Sequence, residues 1–475
     1  MYLYPQQIDF FLHQPIFFVS DFLLVPLYIY WIHKTLKKYI ANKPDHYQEY
    51  FMKAWYVRLA GCILTALMYD YYYNGGDTIN YYHYAMGALR VLFNEPSILP
   101  QLIFNPKGFY ASRFLHDNNY FIENGLFLLD GTTAIVIWLS AFCLLFFMGS
   151  FLLTSITFTM FAFYGCWKLY TTFYDMYPQL KRQMAIACLF IPSVFFWGTG
   201  IMKDSLCMGG IGMLTYSAYF LFFKKGNKLK FLLMMAVSIF IVFSLKVYII
   251  LAFLPALSVW IFARYRYNIK SPFLKTIATP LFVALASVAG VFVLNLMASY
   301  AERYAFEELM RTAKDTQNWL VTASGQNSGS FYTLGDIDYS TFGLLKVAPK
   351  AINVALFRPY IWEIRKPILL AASLEGIVTL YLTITLLFRA GFLNFLKLIA
   401  NNPEVQFCLV FSIIFAFAVG FTSFNFGALA RYKTPFRPYI ILHYLFWQMP
   451  KKRILVLQLL LSVKRNKNYL VYLLL

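Results

Sequence analysis

The sequence predicts an all-α, polytopic transmembrane helical bundle with about 11–13 membrane-spanning helices. Hydrophobic residues fill 60% of the 475 positions and charged residues 13%, about half the charged share of a typical soluble domain. Apolar windows of about 20 residues recur along the chain, and each is long enough to cross a ~30 Å hydrocarbon layer as a helix. Together these observations favour a membrane protein over a soluble one.

The apolar windows define the expected spans, at 14–33, 54–72, 184–199, 205–223, 231–246, 248–263, 276–299, 367–388, 405–421 and 437–449. A weaker window at 454–463 indicates an interfacial segment or a hairpin. The block 131–170 resembles two short helices split at Gly149 and Ser150. Its flanks require an odd number of crossings, so either one piece is re-entrant or a helix within 86–130 enters the membrane.

Basic clusters predict the orientation, because cytoplasmic loops carry an excess of Lys and Arg. The net charge is +20, and the clusters lie at 33–53, 224–230, 263–275 and 451–467. They are not gathered in one soluble domain, which excludes nucleic acid as a partner. We therefore expect a transmembrane domain over 1–450, with long outer loops at 73–130 and 301–366 that contain short amphipathic helices. The tail 451–475 is then cytoplasmic or interfacial.

The chain ends show no processing signal. The first residues lack a basic region and a cleavage site, so no removable signal peptide is expected. The six cysteines fall within or beside apolar windows without zinc-type spacing, which indicates structural thiols. No cofactor is predicted. A divalent cation remains compatible with the sequence, but no motif indicates one.

The first candidate site residue is Asp77, in the stretch "YNGGDTINYYHYA". Two glycines allow a sharp turn before it. A carboxylate at the membrane edge is suited to act as a general base or to anchor a cation. Equally, Asp77 fits the N-cap of the following helix, and the two roles are compatible.

A second candidate is the pair Lys203 and Asp204, in "FFWGTGIMKDS" between two apolar windows. Charges so close to hydrocarbon are costly unless they are paired or line a wet site. We expect a tight helical hairpin, with Asp204 capping the next helix. The pair is either purely structural or a substrate contact, with Lys203 on a phosphate.

The segment "FNFGALARYKTPFRPYIIL" places Arg431, Lys433 and Arg437 on the predicted outer side, against the positive-inside trend. A guanidinium grips phosphate oxygens with two parallel donors, so these cations suit the diphosphate of a lipid-linked sugar. Lipid-headgroup binding or anchoring by Tyr432 is the alternative interpretation.

Other charged residues are expected at the same depth, near the predicted outer ends of the helices. They are Lys246 in "SLKVY" and Arg358, Glu363 and Arg365 in "ALFRPYIWEIRKP". The histidines of the first loop, His83 and His116, are isolated and more typical of structural roles. No nucleotide-binding, zinc-protease or serine-hydrolase motif is present.

With these residues assembled, the chain resembles the GT-C superfamily of polytopic membrane glycosyltransferases. Three pieces carry the resemblance: "GGDTINYY" after an early helix, "IPSVFFWGTGIMKDS", and "RYKTPFRP" before a late helix. They are also similar to segments of bacterial exopolysaccharide and O-antigen polymerase-type membrane proteins. Two features depart from the superfamily: Asp77 lacks a neighbouring second acid, and there is no large C-terminal soluble domain.

The resemblance implies a multi-pass enzyme of the bacterial inner membrane whose site faces the periplasm. It would use a polyprenyl-(di)phosphate-linked sugar or glycan for surface-polysaccharide assembly. Asp77 would be the catalytic base, and the substrate-binding residues would be Lys203, Asp204, Lys246, Arg358, Glu363, Arg431, Lys433 and Arg437. A polymerase of lipid-linked repeats, or a lipid-linked glycan flippase, is the alternative. A transporter should place charges or broken helices near the bilayer midplane.

Overall fold

The computed structural model describes residues 16–94, 96–100, 131–267, 269–274, 276–285, 314–315, 330–335, 337–338 and 340–447. The tail 451–475, the window 454–463 and His116 lie outside these residues. In chain order, the labelled helices are α1 (Asp21–Ala41), α2 (Asp45–Leu67), α3 (Asp77–Asn94), α4 (Gly131–Phe146), α5 (Phe151–Met176), α6 (Lys181–Leu189), α7 (Pro192–Trp197), α8 (Lys203–Phe223), α9 (Lys228–Leu245), α10 (Val247–Tyr267), α11 (Thr341–Phe357), α12 (Leu370–Ala390), α13 (Phe392–Asn401), α14 (Pro403–Thr422), α15 (Phe426–Tyr432) and α16 (Arg437–Trp447).

The all-α, polytopic architecture is confirmed. Within the described ranges, six helices are long and apolar enough to cross a membrane: Tyr47–Tyr72, Lys203–Phe223, Lys228–Leu245, Val247–Arg266, Pro367–Arg389 and Pro403–Thr422. They match six of the predicted windows. The pair α4 and α5 supplies a seventh crossing if it forms one span. The total of 11–13 crossings stays a prediction.

Three predicted windows differ from the helices observed. The window 184–199 is two short helices, α6 and α7, because Pro192 has no N–H to continue a helix and Ile191 before it is extended. In the window 437–449 the structure describes α16 over Arg437–Trp447, and most of these side chains are buried inside the bundle, unlike those of a lipid-facing span. The window 14–33 is displaced, since α1 runs over Asp21–Ala41.

The block 131–170 is broken where the sequence predicts a split. Helices α4 and α5 meet at 119°. Met148 and Gly149 both take positive φ between them, and the Ser150 side chain then caps α5 by accepting from the Leu153 N–H. Helix α5 has 26 residues, so it is not one of two short pieces as predicted.

The centre of the bundle is the close contact of α5 with α8. A Cβ atom on Gly165 would lie 2.2 Å from the carbonyl oxygen of Gly209, and one on Gly212 would lie 2.0 Å from that of Gly165. Only glycine allows this backbone approach, which is a common basis of helix association in membranes. The contact fixes the position of the α8 N-terminus, and therefore of Lys203 and Asp204.

The helices place two polar clusters at opposite ends of the bundle. At one end the α10 C-terminus meets the α14 N-terminus, where Glu404 accepts from Arg264 Nε (2.7 Å), Tyr177 Oη (2.9 Å) and Trp260 Nε1 (3.2 Å). At the other end lie the starts of α3 and α8, the junction of α9 and α10, and α15. The second end holds the candidate site.

Candidate functional site

Four charged side chains from distant parts of the chain form one continuous group, here called the charge chain: Asp77, Arg431, Asp204 and Lys246. Arg431 Nη1 lies 2.8 Å from Asp77 Oδ2, and Arg431 Nε lies 3.4 Å from Asp204 Oδ2. Lys246 Nζ lies 2.5 Å from Asp204 Oδ1. All four are predicted site residues, and the structure brings them together.

Burial is graded along the charge chain. The Asp204 and Lys246 side chains are 2% and 8% exposed, whereas Arg431 is 17% and Asp77 33% exposed. Charges removed from water are tolerated when they are closely paired, and here two cations balance two carboxylates. Asp77 is therefore the member that an incoming molecule can reach.

Electrostatics hold both cations in the charged form. Burial disfavours the charge on Lys246, but the Asp204 carboxylate outweighs that effect, and the pKa of Lys246 lies above its ordinary value. Burial likewise opposes the charge on Arg431, and Asp204 and Asp77 together raise its pKa well above the ordinary value. The two basic groups are thus permanent cations at neutral pH.

Two tyrosines border the charge chain. The Tyr432 ring lies against both cations, with Lys246 Nζ 4.6 Å and Arg431 Cζ 5.2 Å from its centroid, within the range of cation–π attraction. Tyr69 Oη lies 3.4 Å from Arg431 Nη1. Tyr69 belongs to a π-helical turn, Met68–Tyr72, a feature that often marks functional sites. Sequence reasoning missed Tyr69, because a π turn has no sequence signature.

The paired glycines before Asp77 have a steric explanation. Gly76 has φ +108°, and a Cβ atom there would lie 2.9 Å from the Tyr69 ring. Glycine therefore lets the chain turn tightly over that ring and start α3 at Asp77. Because Asp77 is already helical, the prediction that it is the N-cap is wrong. Its carboxylate points to Arg431.

Asp204 is not an N-cap either. Helix α8 begins at Lys203, and Met202 in the N-cap position supplies no side-chain bond. Lys203 Nζ donates to the hydroxyls of Thr132 (2.5 Å) and Thr133 (2.9 Å), at the start of α4. Lys203 thus ties α8 to α4, while its neighbour Asp204 joins the charge chain.

Arg358 and Glu363 form a separate group. Arg358 Nε donates to both Glu363 oxygens, at 2.9 and 3.0 Å, and the Tyr360 N–H donates to Glu363 at 2.8 Å. Burial opposes ionisation of Glu363, but the bonds from Arg358 and from the Tyr360 backbone outweigh it and lower the pKa of Glu363. This pair contacts the late segment through Lys433, whose Nζ donates to the Arg358 carbonyl at 2.9 Å.

Lys433 and Arg437 do not face an open surface, as the sequence led us to expect. Their exposed fractions are 0% and 1%. The reason is that α16 packs against α6, α12 and α14, so its first turn lies inside the bundle. A role for these two residues in binding a lipid-linked phosphate stays a prediction.

No histidine belongs to the charge chain, and the described residues hold no candidate metal cluster. Across the described residues, no group of three or more His, Cys, Asp or Glu side chains is placed to hold a metal ion. His83 is buried, with 6% exposure, in the second turn of α3. The charge chain and its two bordering tyrosines supply carboxylates, a guanidinium, an ammonium group and phenol hydroxyls.

No protein-family model matches this chain, and neither a curated protein nor a solved structure is significantly similar to it. The function must therefore be argued from the geometry of the charge chain.

Proposed function

We propose that this chain is a multi-pass membrane glycosyltransferase that uses a polyprenyl-phosphate-linked sugar or glycan as donor. One observation carries the proposal: a partly exposed carboxylate, Asp77, lies beside a guanidinium, Arg431, at one end of a membrane bundle. A base for an acceptor hydroxyl and a cation for a leaving phosphate are the two groups that such a transfer requires.

The transfer step assigns a role to each group. The acceptor oxygen attacks the anomeric carbon, and Asp77 accepts the hydroxyl proton. The bond from the anomeric carbon to the phosphate oxygen breaks, and the leaving phosphate keeps the electron pair. Arg431 neutralises this growing charge with its planar donors, and Lys203, the residue before Asp204, is a second candidate cation for the phosphate.

Donor binding requires Arg431 to change partners. In the structure its guanidinium is shared between Asp77 and Asp204. A phosphate oxygen that takes the place of Asp77 would leave Arg431 anchored to the more buried Asp204 and would release the Asp77 carboxylate. Binding of the donor and exposure of the base would then be one event.

The setting proposed for this reaction is the outer leaflet of a bacterial inner membrane, in the assembly of surface polysaccharide. The support is the positive-inside rule, which assigns the basic loop Lys224–Lys230 and the Arg264 end of α10 to the cytoplasm. The charge chain lies at the opposite end of the same helices. Joining lipid-linked repeat units, as a polymerase does, uses the same chemistry with a larger acceptor.

A glycan profile of cells that lack the chain tests the proposal. A surface glycan short by one sugar indicates a transferase, and accumulation of single lipid-linked repeats indicates a polymerase. Complementation with wild type should restore the profile, and complementation with Asp77→Asn should not. An unchanged profile in the deletion strain contradicts the proposal.

A flippase for a lipid-linked glycan is the second candidate, and two observations favour it. Arg58 is fully buried within the span Tyr47–Tyr72, where it donates to Gly198 O (3.2 Å) and Cys166 Sγ (2.8 Å). The 119° bend between α4 and α5 is a second transporter-like feature. Movement of a fluorescent lipid-linked sugar across proteoliposomes without any glycosidic transfer would establish this function.

A further inference from the structure

A second charged group lies inside the bundle, apart from the charge chain. It consists of Lys433, Arg437 and Glu375, contributed by the α15–α16 turn, the start of α16 and the first turns of α12. Lys433 is 0% and Arg437 1% exposed, and the Glu375 side chain is 12% exposed. Two basic side chains share one carboxylate, so the group carries one surplus positive charge whenever Lys433 is protonated.

The carboxylate does not satisfy the guanidinium. Arg437 Nε lies 3.6 Å from Glu375 Oε2, which is too long for a hydrogen bond. Glu375 Oε1 accepts from the Ser193 N–H at 2.6 Å, which holds the carboxylate towards α7. Arg437 Nη1 donates to Thr379 Oγ1 at 3.0 Å, whereas Nε and Nη2 have no hydrogen-bond acceptor among the described residues.

Most of the unmet hydrogen-bonding capacity consists of donors. Besides Arg437 Nε and Nη2, the buried hydroxyls of Thr434 and Ser193 have no partner in the described part of the chain. Lys433 donates to the Arg358 carbonyl and carries two further protons. Glu375 Oε2 is the unmet carboxylate oxygen of the group, and the two hydroxyl oxygens can accept as well as donate. A species that accepts several hydrogen bonds and donates none fits this environment.

We propose that Lys433, Arg437 and Glu375 enclose a binding site for a small monovalent anion such as chloride. The surplus positive charge calls for an anion, because an uncompensated buried charge costs several kcal/mol. The near-complete burial of the three side chains calls for a small one. The Glu375 carboxylate beside Arg437 would repel a doubly charged phosphate.

The state of Lys433 supports this assignment. Burial, followed by the nearby Arg437 charge, lowers the pKa of Lys433 well below its ordinary value. Loss of that proton removes the surplus charge when no anion is bound, so binding of an anion should be coupled to protonation of Lys433. The site does not depend on the proposed transfer reaction and can be tested without a substrate.

Bromide provides a direct probe of the full-length wild-type chain. Crystals grown in bromide should show anomalous density within hydrogen-bonding distance of Arg437. Density at that position that gives no bromide signal would indicate ordered water and would overturn the proposal. So would bromide peaks found only elsewhere.

Thermal unfolding in detergent provides a second test. At constant ionic strength, replacing gluconate by chloride should raise the Tm of the wild type saturably, by about 1–3 °C. Lys433→Met removes the surplus charge and should abolish that dependence, whereas the exposed-lysine control Lys230→Met should retain it. An equal chloride response in all three proteins would refute the site. If Lys433→Met does not fold, the bromide density alone decides.

Discussion

Arg431 joins Asp77 to Asp204, so that one guanidinium from the C-terminal part of the chain holds the first turns of two helices, α3 and α8. Its Nη1 atom lies 2.8 Å from Asp77 and its Nε atom 3.4 Å from Asp204. A lysine would not reproduce this geometry, because its donors all radiate from one nitrogen at the end of a flexible chain. The following predictions rest on this arrangement and on the groups around it.

Asp77→Asn should abolish glycan transfer while the protein still accumulates in the membrane. Asparagine keeps the size of the side chain but accepts no proton at neutral pH, so the rate should fall by about 10²–10⁴-fold. The measurement is sugar transfer by membranes adjusted to equal protein content. Asp70→Asn, a change outside the charge chain in the same π-helical turn as Tyr69, is the matched control. Normal transfer by Asp77→Asn would show that its carboxylate has no catalytic role.

Arg431→Lys should retain partial activity and Arg431→Gln should retain very little. Lysine keeps the positive charge but loses the two-donor grip on phosphate. Glutamine also removes the charge, which leaves Asp77 without its cation and Asp204 with Lys246 alone. The Michaelis constant for the lipid-linked donor should rise more than that for the acceptor in Arg431→Lys. An equal rise for both substrates would argue against a phosphate contact.

Lys246→Met should destabilise the folded protein by about 3–5 kcal/mol, because it leaves the 2%-exposed Asp204 carboxylate without its closest cation. Thermal unfolding of the purified protein in detergent measures the loss. The double variant Lys246→Met/Asp204→Asn should recover part of it, since the buried charge is then gone. No recovery in the double variant would mean that Lys246 stabilises the fold by packing alone.

The stability of the folded protein should fall at acidic pH, partly because Glu363 becomes protonated. Because the folded-state pKa of Glu363 is lowered below 4.5, its ionised form stabilises the fold above that pH. This contribution is lost as the pH drops through the folded-state value. Glu363→Gln should therefore be less stable than wild type at pH 6, and the difference in stability between the two proteins should shrink below pH 4. If the unfolding midpoints of wild type and Glu363→Gln differ by the same amount at every pH in this range, ionised Glu363 does not stabilise the fold.

Cysteine labelling in whole cells should place the charge chain on the outer side. A cysteine at Thr333 lies in the segment that pairs with the α14–α15 loop, where the Tyr332 N–H donates to Phe424 O at 3.0 Å. It should react with an impermeant reagent in intact cells. A cysteine at Lys225, at the opposite end of α8, should react only after permeabilisation. Labelling of the Lys225 position in intact cells, and of the Thr333 position only after permeabilisation, would contradict both the topology and the outer-leaflet setting.

Local sequence features were sufficient for much of the fold. Six apolar windows became helices of spanning length because the hydrophobic length of a segment alone decides whether it can cross a bilayer. The break at Gly149 was also predictable, since a positive φ followed by a serine cap is a local property. The prediction of one helix over 184–199 was wrong, because it rested on apolar composition and gave too little weight to Pro192, which interrupts the helix.

The sequence also singled out the members of the charge chain, since charges at the ends of apolar helices stand out wherever they occur. It could not assign their partners. The sequence allowed a structural ion pair between Asp204 and its neighbour Lys203. In the structure Asp204 pairs with Lys246, because the α8–α9 hairpin brings the end of α9 back beside the start of α8.

The sequence by itself determined that this protein is a polytopic helical bundle with charged residues at the ends of its apolar helices, because hydrophobic length and charge position are properties of the local sequence. Only the tertiary structure decided that Arg431 closes the charge chain while Lys433 and Arg437 are buried behind it. Burial and pairing depend on which helices pack together. Here the close contact of glycines in α5 and α8 and the packing of α16 against α6, α12 and α14 set those neighbours, and neither is visible in a window of sequence.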